Sequence, residues 1–311
     1  DLSVSKAATL QSAVPAPFAQ AYIDEVDGAM SLELIQPDIQ VVKKVTADRY
    51  YGDSMAVTAA PNGNFVYVWA KYRCLDNPCT IYVSEIEYTL LDHSGNTVRV
   101  VGKLTDHSGA TMETYDSPSS VAVAPNGTIG LFWSRYLYNS STFQANDNLY
   151  FATLDSAGNL TSGPTNLTNN GLWGTNTDSD IPHFNSPTIA ASDDNHFILS
   201  WEKFTSPIPP YVSSNNIWYA TCDNSGNIIF PPTALTSDNG SHTPVLNSLT
   251  SGDAILTWDS SVGLNYGIPT YAVLNSSGAV SKTATTLGVS YMYETPDAVL
   301  LPNGKVAVAW P

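Results

Sequence analysis

The chain has 311 residues, 43% of them hydrophobic and 13% charged, with a formal net charge of −16 and a pI near 4.3. So acidic a surface disfavours polyanions, which excludes nucleic acid and anionic membrane as main partners and leaves cations and neutral polymers such as glycans. No run approaches the roughly 18 apolar residues of a membrane-spanning helix, so no transmembrane segment is expected.

Residues 1–17, "DLSVSKAATLQSAVPAP", are rich in Ala, Ser and Pro and read as a linker or extended arm. The start at Asp1 without Met fits a trimmed chain that has lost a signal peptide. Residues Phe18 to Thr46 read as a hairpin. From there one pattern recurs: a short strand, a tight turn and a second strand ending in tryptophan, at Trp69, Trp133, Trp201, Trp258 and Trp310. The turns are "PNG" at 61, 125 and 302, "SDDN" at 192 and "TSGD" at 250. A second hairpin follows each of the first four copies, as in "NLYFATLDSAGNLTSGPTNLT" and "NIWYATCDNSGNIIFPPTALT". Each unit is therefore four antiparallel strands.

Along the second strand Phe65, Tyr67 and Trp69 oppose Val66 and Val68, so both faces are apolar. A sheet buried on both faces within a repeat array is expected where four-stranded blades stack about an axis. The tryptophan column could serve as a sugar platform, but its register on apolar strands predicts core. The last copy stops after two strands at Trp310, and Phe18 to Thr46 supplies what it lacks. The expectation is an all-β fold: one five-bladed β-propeller over residues 18–311, its last blade closed by N- and C-terminal strands. A fragment of a longer array is the alternative.

Cys74 and Cys79 in "YRCLDNPCT" are spaced for a local disulfide, which implies an oxidising compartment. Cys222 lies on an apolar alternating strand and reads as a buried free thiol. Glycosylation triplets occur at Asn126, Asn139, Asn159, Asn166, Asn239 and Asn275.

The succession of "SPTIAASDDNHFILSWEK", "NNIWYATCDNSGNIIFPPTALTSDN" and "TPVLNSLTSGDAILTW" resembles the Pro-x-Val-Ala…Gly-x-x-x-x-x-Trp repeats of long secreted and surface-attached bacterial proteins. The resemblance covers most of residues 50–310. It implies an extracellular or cell-surface, non-catalytic propeller used for adhesion, display or assembly, and carries over no catalytic residue. Sialidase-type propellers are set aside: the arginine cluster and the Ser-x-Asp-x-Gly-x-x-Trp repeat of that class are missing.

The turns inside each hairpin are short, whereas the second-to-third loops and the inter-blade connections are long. Binding sites collect on such loops. Each connection ends in a polar residue before the leading strand: Asp53, Asp116, Asn185, His242 and Glu294, with Tyr115 and Tyr293 among the aromatics preceding them. Such residues ordinarily cap the turn into the strand; the alternative is that five of them converge on a cation or a sugar. Lys71, Arg135 and Lys203 follow three of the tryptophans and either form a charged ligand platform or pair with neighbouring carboxylates. Trp173 falls outside the repeat register in a Gly/Asn-rich loop and is a ligand-contact candidate.

The histidines show no metal-ligand spacing and no calcium-loop motif is present, so no cofactor is expected beyond a structural Ca²⁺ compatible with so acidic a chain. Two functions follow. The first is a non-enzymatic extracellular module for adhesion, glycan binding or assembly of a surface array, its partners a glycan, other surface proteins or further copies of itself. The alternative is a glycoside hydrolase of the five-bladed type, with Asp53 and Asp116 as base and modulator and Glu294 as acid; Asn185 departs from that pattern, which wants a carboxylate on the third blade.

Overall fold

The computed structural model describes residues 19–23, 30–34, 55–117, 120–171, 182–205, 214–261, 267–288, 296–301 and 305–310, the first two segments in backbone only. The chain forms two compact units, Asp1–Asp48 and Arg49–Pro311. In the smaller, β1 (Ala19–Ile23) pairs antiparallel with β2 (Met30–Leu34), Ala19 opposite Leu34.

The larger unit is a succession of antiparallel sheets, and no helix occurs among the described residues. The first sheet is β3 (Met55–Ala59), β4 (Phe65–Cys74), β5 (Tyr82–Leu91) and β6 (Thr97–Lys103). After a short bridging strand β7 (Glu113–Asp116) comes the second: β8 (Ser120–Val123), β9 (Ile129–Asn139), β10 (Gln144–Leu154) and β11 (Leu160–Asn166). The third is β12 (His183–Ala191), β13 (His196–Thr205), β14 (Ser214–Asp223) and β15 (Ile228–Ala234). The fourth is β16 (Ser241–Ser248), β17 (Ala254–Ser261), β18 (Gly267–Leu274) and β19 (Val280–Thr286), and a two-stranded sheet of β20 (Asp297–Leu300) and β21 (Val306–Ala309) ends the chain. β7 runs parallel to β5 and antiparallel to β9, so the first two sheets are hydrogen-bonded into one.

The second hairpins turn by one repeated device. Asp92, Asp155, Asp223 and Asn275 each accept through Oδ1 the amides two and four residues on, and Gly95, Gly158, Gly226 and Gly278 supply the left-handed residue that closes the turn. The leading strands β3, β8, β12, β16 and β20 lie each against the next. Consecutive sheets therefore stack face to face, and an apolar core fills each seam. Val68, Ile86 and Leu90 meet Leu131, Trp133 and Leu154 at the first seam; Phe132 and Phe151 meet Phe197, Leu199 and Trp201 at the second; Ile198 and Tyr219 meet Leu246, Leu256 and Trp258 at the third. Large residues are matched by small ones across a seam: a Cβ on Gly130 would stand 2.6 Å from the Phe197 ring. Tyr88 and Tyr219 stitch the first and third seams, donating to the carbonyls of Gly158 and Gly278 in the turn of the next sheet.

Four of the five repeat tryptophans are core, as their register predicts: Trp69, Trp133, Trp201 and Trp258 are all buried. Trp310 departs from the column at 37% exposure, in a sheet that has two strands among the described residues. On the face of the first sheet that carries the buried Trp69, Met55, Val57 and Phe65 are exposed, so the expected burial of both faces holds at the seams and is only partial here. No helix long and apolar enough to cross a membrane occurs among the described residues.

Candidate functional site

The residues before the leading strands share one structural rule. Asp116 pairs with Arg135, Asn185 with Glu202, and His242 with Asp259, each across from the second strand just beyond its tryptophan. After Asn185 and His242 the chain bulges: Ser186 and Thr243 take positive φ of 49° and 50°, each followed by a proline that holds the kink. This brings the polar residues of the connections against those that follow the tryptophans, at the end of the sheets that bears the long loops.

Asp116 is fully buried and its carboxylate is fully used. Oδ1 accepts from Arg135 Nε at 2.6 Å and Trp133 Nε1 at 3.1 Å; Oδ2 accepts from Arg135 Nη2 at 3.1 Å and lies 2.8 Å from His107 Nε2. Burial pushes its carboxyl upward, but the bonds from His107 and Arg135 outweigh burial and hold it below the usual range. Arg135 also stacks on Tyr150, with 4.2 Å from guanidinium to ring centre. A second buried acid, Glu85, is held the same way by Arg73, by Lys103 at 3.2 Å and by the His107 amide at 2.7 Å. These groups support the scaffold rather than face a ligand.

Of the two readings of Lys71, Arg135 and Lys203, the described contacts are those of pairing and stacking. Lys71 lies 3.7 Å from Glu87, Arg135 is locked by Asp116, and Lys203 sits 4.4 Å over the Trp218 ring, where burial lowers its pKa. Tyr115 donates its hydroxyl to Glu113, and burial followed by that acceptor raises its pKa. Asp53, Trp173, Tyr293 and Glu294 lie outside the described residues.

Two carboxylic acids at this end lack the compensation that Asp116 enjoys. Asp259 is 1% exposed and burial pushes its carboxyl up; neither oxygen has a partner among the described residues, and the missing side chain of Gly267 leaves it room. Nearby, Glu202 accepts from the Thr243 amide at 3.2 Å and lies 3.6 Å from His242 Nδ1, which raises the His242 pKa. Asn215 meets the His242 ring at 2.8 Å.

Asp147, which the sequence reading missed, is the second. It is 5% exposed on β10; Oδ2 accepts from the Phe184 amide at 2.9 Å, and Oδ1 has no partner among the described residues. Burial pushes its pKa to about 7, more than two backbone bonds can counter. His183 Nδ1 stands 3.8 Å from Oδ2, its side chain 31% exposed. The imidazole is flanked by Tyr136 and Phe204, at 6.0 and 6.2 Å between ring centres. The only signal in the sequence is a charged residue between two asparagines, "NDN", inside a strand that is otherwise apolar.

Cys74 and Cys79 form the expected disulfide, and Cys222 is a buried free thiol. Among the described residues the one group close enough to share an ion is Cys74, Asp76 and Cys79, but both sulfurs are in the disulfide and the Asp76 carboxylate is taken by Thr80 and Ile81. The six glycosylation candidates all carry side-chain hydrogen bonds; Asn139, Asn166 and Asn275 accept backbone amides of their own turns.

No protein-family model and no curated protein sequence matches the chain. Its fold is similar to that of the Penicillium chrysogenum alpha-L-arabinanase complexed with arabinobiose, with a TM-score of 0.51 and 14% identity over 82% of this chain and 74% of that one. It is also similar to the polysaccharide lyase Uly1, with a TM-score of 0.51 and 9% identity over 81% of this chain and 53% of the lyase. At these identities the likeness is one of fold. It corrects the expectation of a non-enzymatic adhesion, display or assembly module. That expectation rested on the resemblance to surface-protein repeats, on the signs of secretion and on a missing catalytic signature, and these two fold matches are glycan-degrading enzymes. Short motifs do not decide activity on a fold whose sites are assembled from separate blades.

Proposed function

We propose that this chain is a secreted glycan-degrading enzyme, a glycoside hydrolase built on a five-bladed propeller and working at the end that bears the long loops. The disulfide supports export to an oxidising compartment. The count of five blades is part of the proposal; the succession of stacked antiparallel sheets that ends in the pair β20–β21 supports it.

One observation carries the enzymatic reading: Asp147, whose burial raises its pKa to about 7, lies 3.8 Å from the partly exposed His183, and its Oδ1 has no partner among the described residues. Glycosidic cleavage needs a group that gives a proton to the leaving oxygen and another that takes one from water. A carboxyl that titrates near neutrality beside an imidazole at the mouth suits the first task. His183 is the group in reach of substrate, and Asp147 positions it and shares its proton. Asp116, offered by the sequence as a modulator, is a positioning residue, since both its oxygens are engaged. Asp53 remains the proposed base. The chemistry uses no cofactor.

The test is release of reducing ends from a panel of neutral polysaccharides, arabinan among them, by the wild type and by Asp147→Asn. The wild type is expected to turn over at least one polymer, and the variant to lose about 10²-fold or more in kcat while its melting midpoint is no lower than that of the wild type. No turnover on any polymer, or full activity in the variant, would retire the reading.

A further inference from the structure

We infer that the seam between the second and third sheets carries a stacking track for a neutral polysaccharide chain, formed by Tyr138, Tyr136, His183 and Phe204. The inference rests on the glycan reading above and names where the polymer lies and which chemistry it must have.

The four rings come from three strands, β9, β12 and β13, and follow one another across the seam. Their centres are 6.5, 6.0 and 6.2 Å apart, with interplanar angles of 9°, 37° and 31°, so the row turns gradually. All four are half-buried. They lie beyond the apolar core of this seam, which reaches Trp201 and Phe184. None of the four belongs to that core cluster. A continuous run of partly exposed rings at the polar end of a sheet suits binding, because apolar surface left in water there gains nothing for folding. The face of an aromatic ring is electron-rich, and the C–H-bearing face of a sugar offers the weakly positive complement. Several rings in a row suit an extended polymer better than a single sugar.

Charge decides which polymer. The two cations beside the row in sequence are committed, Arg135 to Asp116 and Tyr150, and Lys203 to the Trp218 ring. No uncommitted cation thus faces the row from these two positions, and the chain as a whole is at −16. A polyuronate or sulfated polymer would be repelled; an uncharged one would not.

The experiment is native gel electrophoresis through gels containing soluble neutral polysaccharides, arabinan among them, or a polyuronate. Wild type is compared with Tyr138→Leu, Phe204→Leu and Asp147→Asn, after melting curves confirm that each is folded. At least one neutral polymer should retard the wild type, with retardation weakened about tenfold in the two leucine variants and kept in Asp147→Asn; the polyuronate should have no effect. Unchanged retardation in both leucine variants, retardation by the polyuronate alone, or none by any neutral polymer would overturn the track. Binding without turnover would retire the enzymatic reading and leave the track standing. Turnover with an unaltered KM in the leucine variants would do the reverse.

Discussion

Replacing Trp201 by alanine is expected to cost about 3–5 kcal/mol of stability, the range for emptying a large aromatic site in a core. Trp201 is 2% exposed and packs edge-on to Phe132, at 6.1 Å between ring centres, and to Phe184, at 6.5 Å and 89°. It fills the seam between the second and third sheets, and neither strand can close over the void without leaving its own hydrogen-bonded register. Its indole Nε1 has no partner among the described residues, so the loss is one of packing alone. For a unit of this size the midpoint should fall by roughly 10 °C in thermal melts. An unchanged midpoint would remove Trp201 from the core.

The second large effect is electrostatic. Arg135→Met should destabilise by about 3–5 kcal/mol, because it leaves the Asp116 carboxylate buried without its main counter-charge. The double variant Asp116→Asn/Arg135→Met should recover part of that loss, since it removes the orphaned charge as well. The pH dependence has a definite sign. Asp116 has a folded pKa below its ordinary value of 3.8, so its contribution is present above that value and disappears as pH falls through the folded one. Wild-type denaturant midpoints should therefore drop on the acid side, and Arg135→Met should show a shallower drop. Asp147 runs the other way: its pKa is raised, so its stabilising share is complete below 3.8 and is lost as pH climbs to about 7. A wild-type midpoint that keeps rising into acid would contradict the Asp116 assignment.

The sheets were legible because their signals are local. Alternating apolar residues, a Gly-bearing turn every hairpin and a tryptophan at a fixed place define strands without any knowledge of what they pack on, and the Cys74–Cys79 spacing defines its own loop. The site was less legible because its contacts cross seams. Alternation assigns Trp133 and Tyr136 to opposite faces of β9, but not that Tyr136 will meet His183 from the next sheet. The cations after the tryptophans were correctly tied to pairing at Arg135 and Asp116, whereas Lys71 and Lys203 took Glu87 and an indole ring instead. Asp147 was hidden because a strand residue shows its face in the pattern and not its depth; only packing by the neighbouring sheet turns an ordinary aspartate into a buried acid. The functional reading leaned on a resemblance among short, mostly structural repeats, and a fold's repeats do not fix its activity.

The most direct measurement of the whole account is a crystal of the folded Asp147→Asn variant soaked with a neutral oligosaccharide that the wild type degrades. Sugar density should lie at the loop-bearing end, stacked on Tyr136 and Phe204 and with a glycosidic oxygen in reach of His183. Density confined to the short-hairpin end of the sheets, or at the loop-bearing end with His183 out of reach of every glycosidic oxygen, would contradict it.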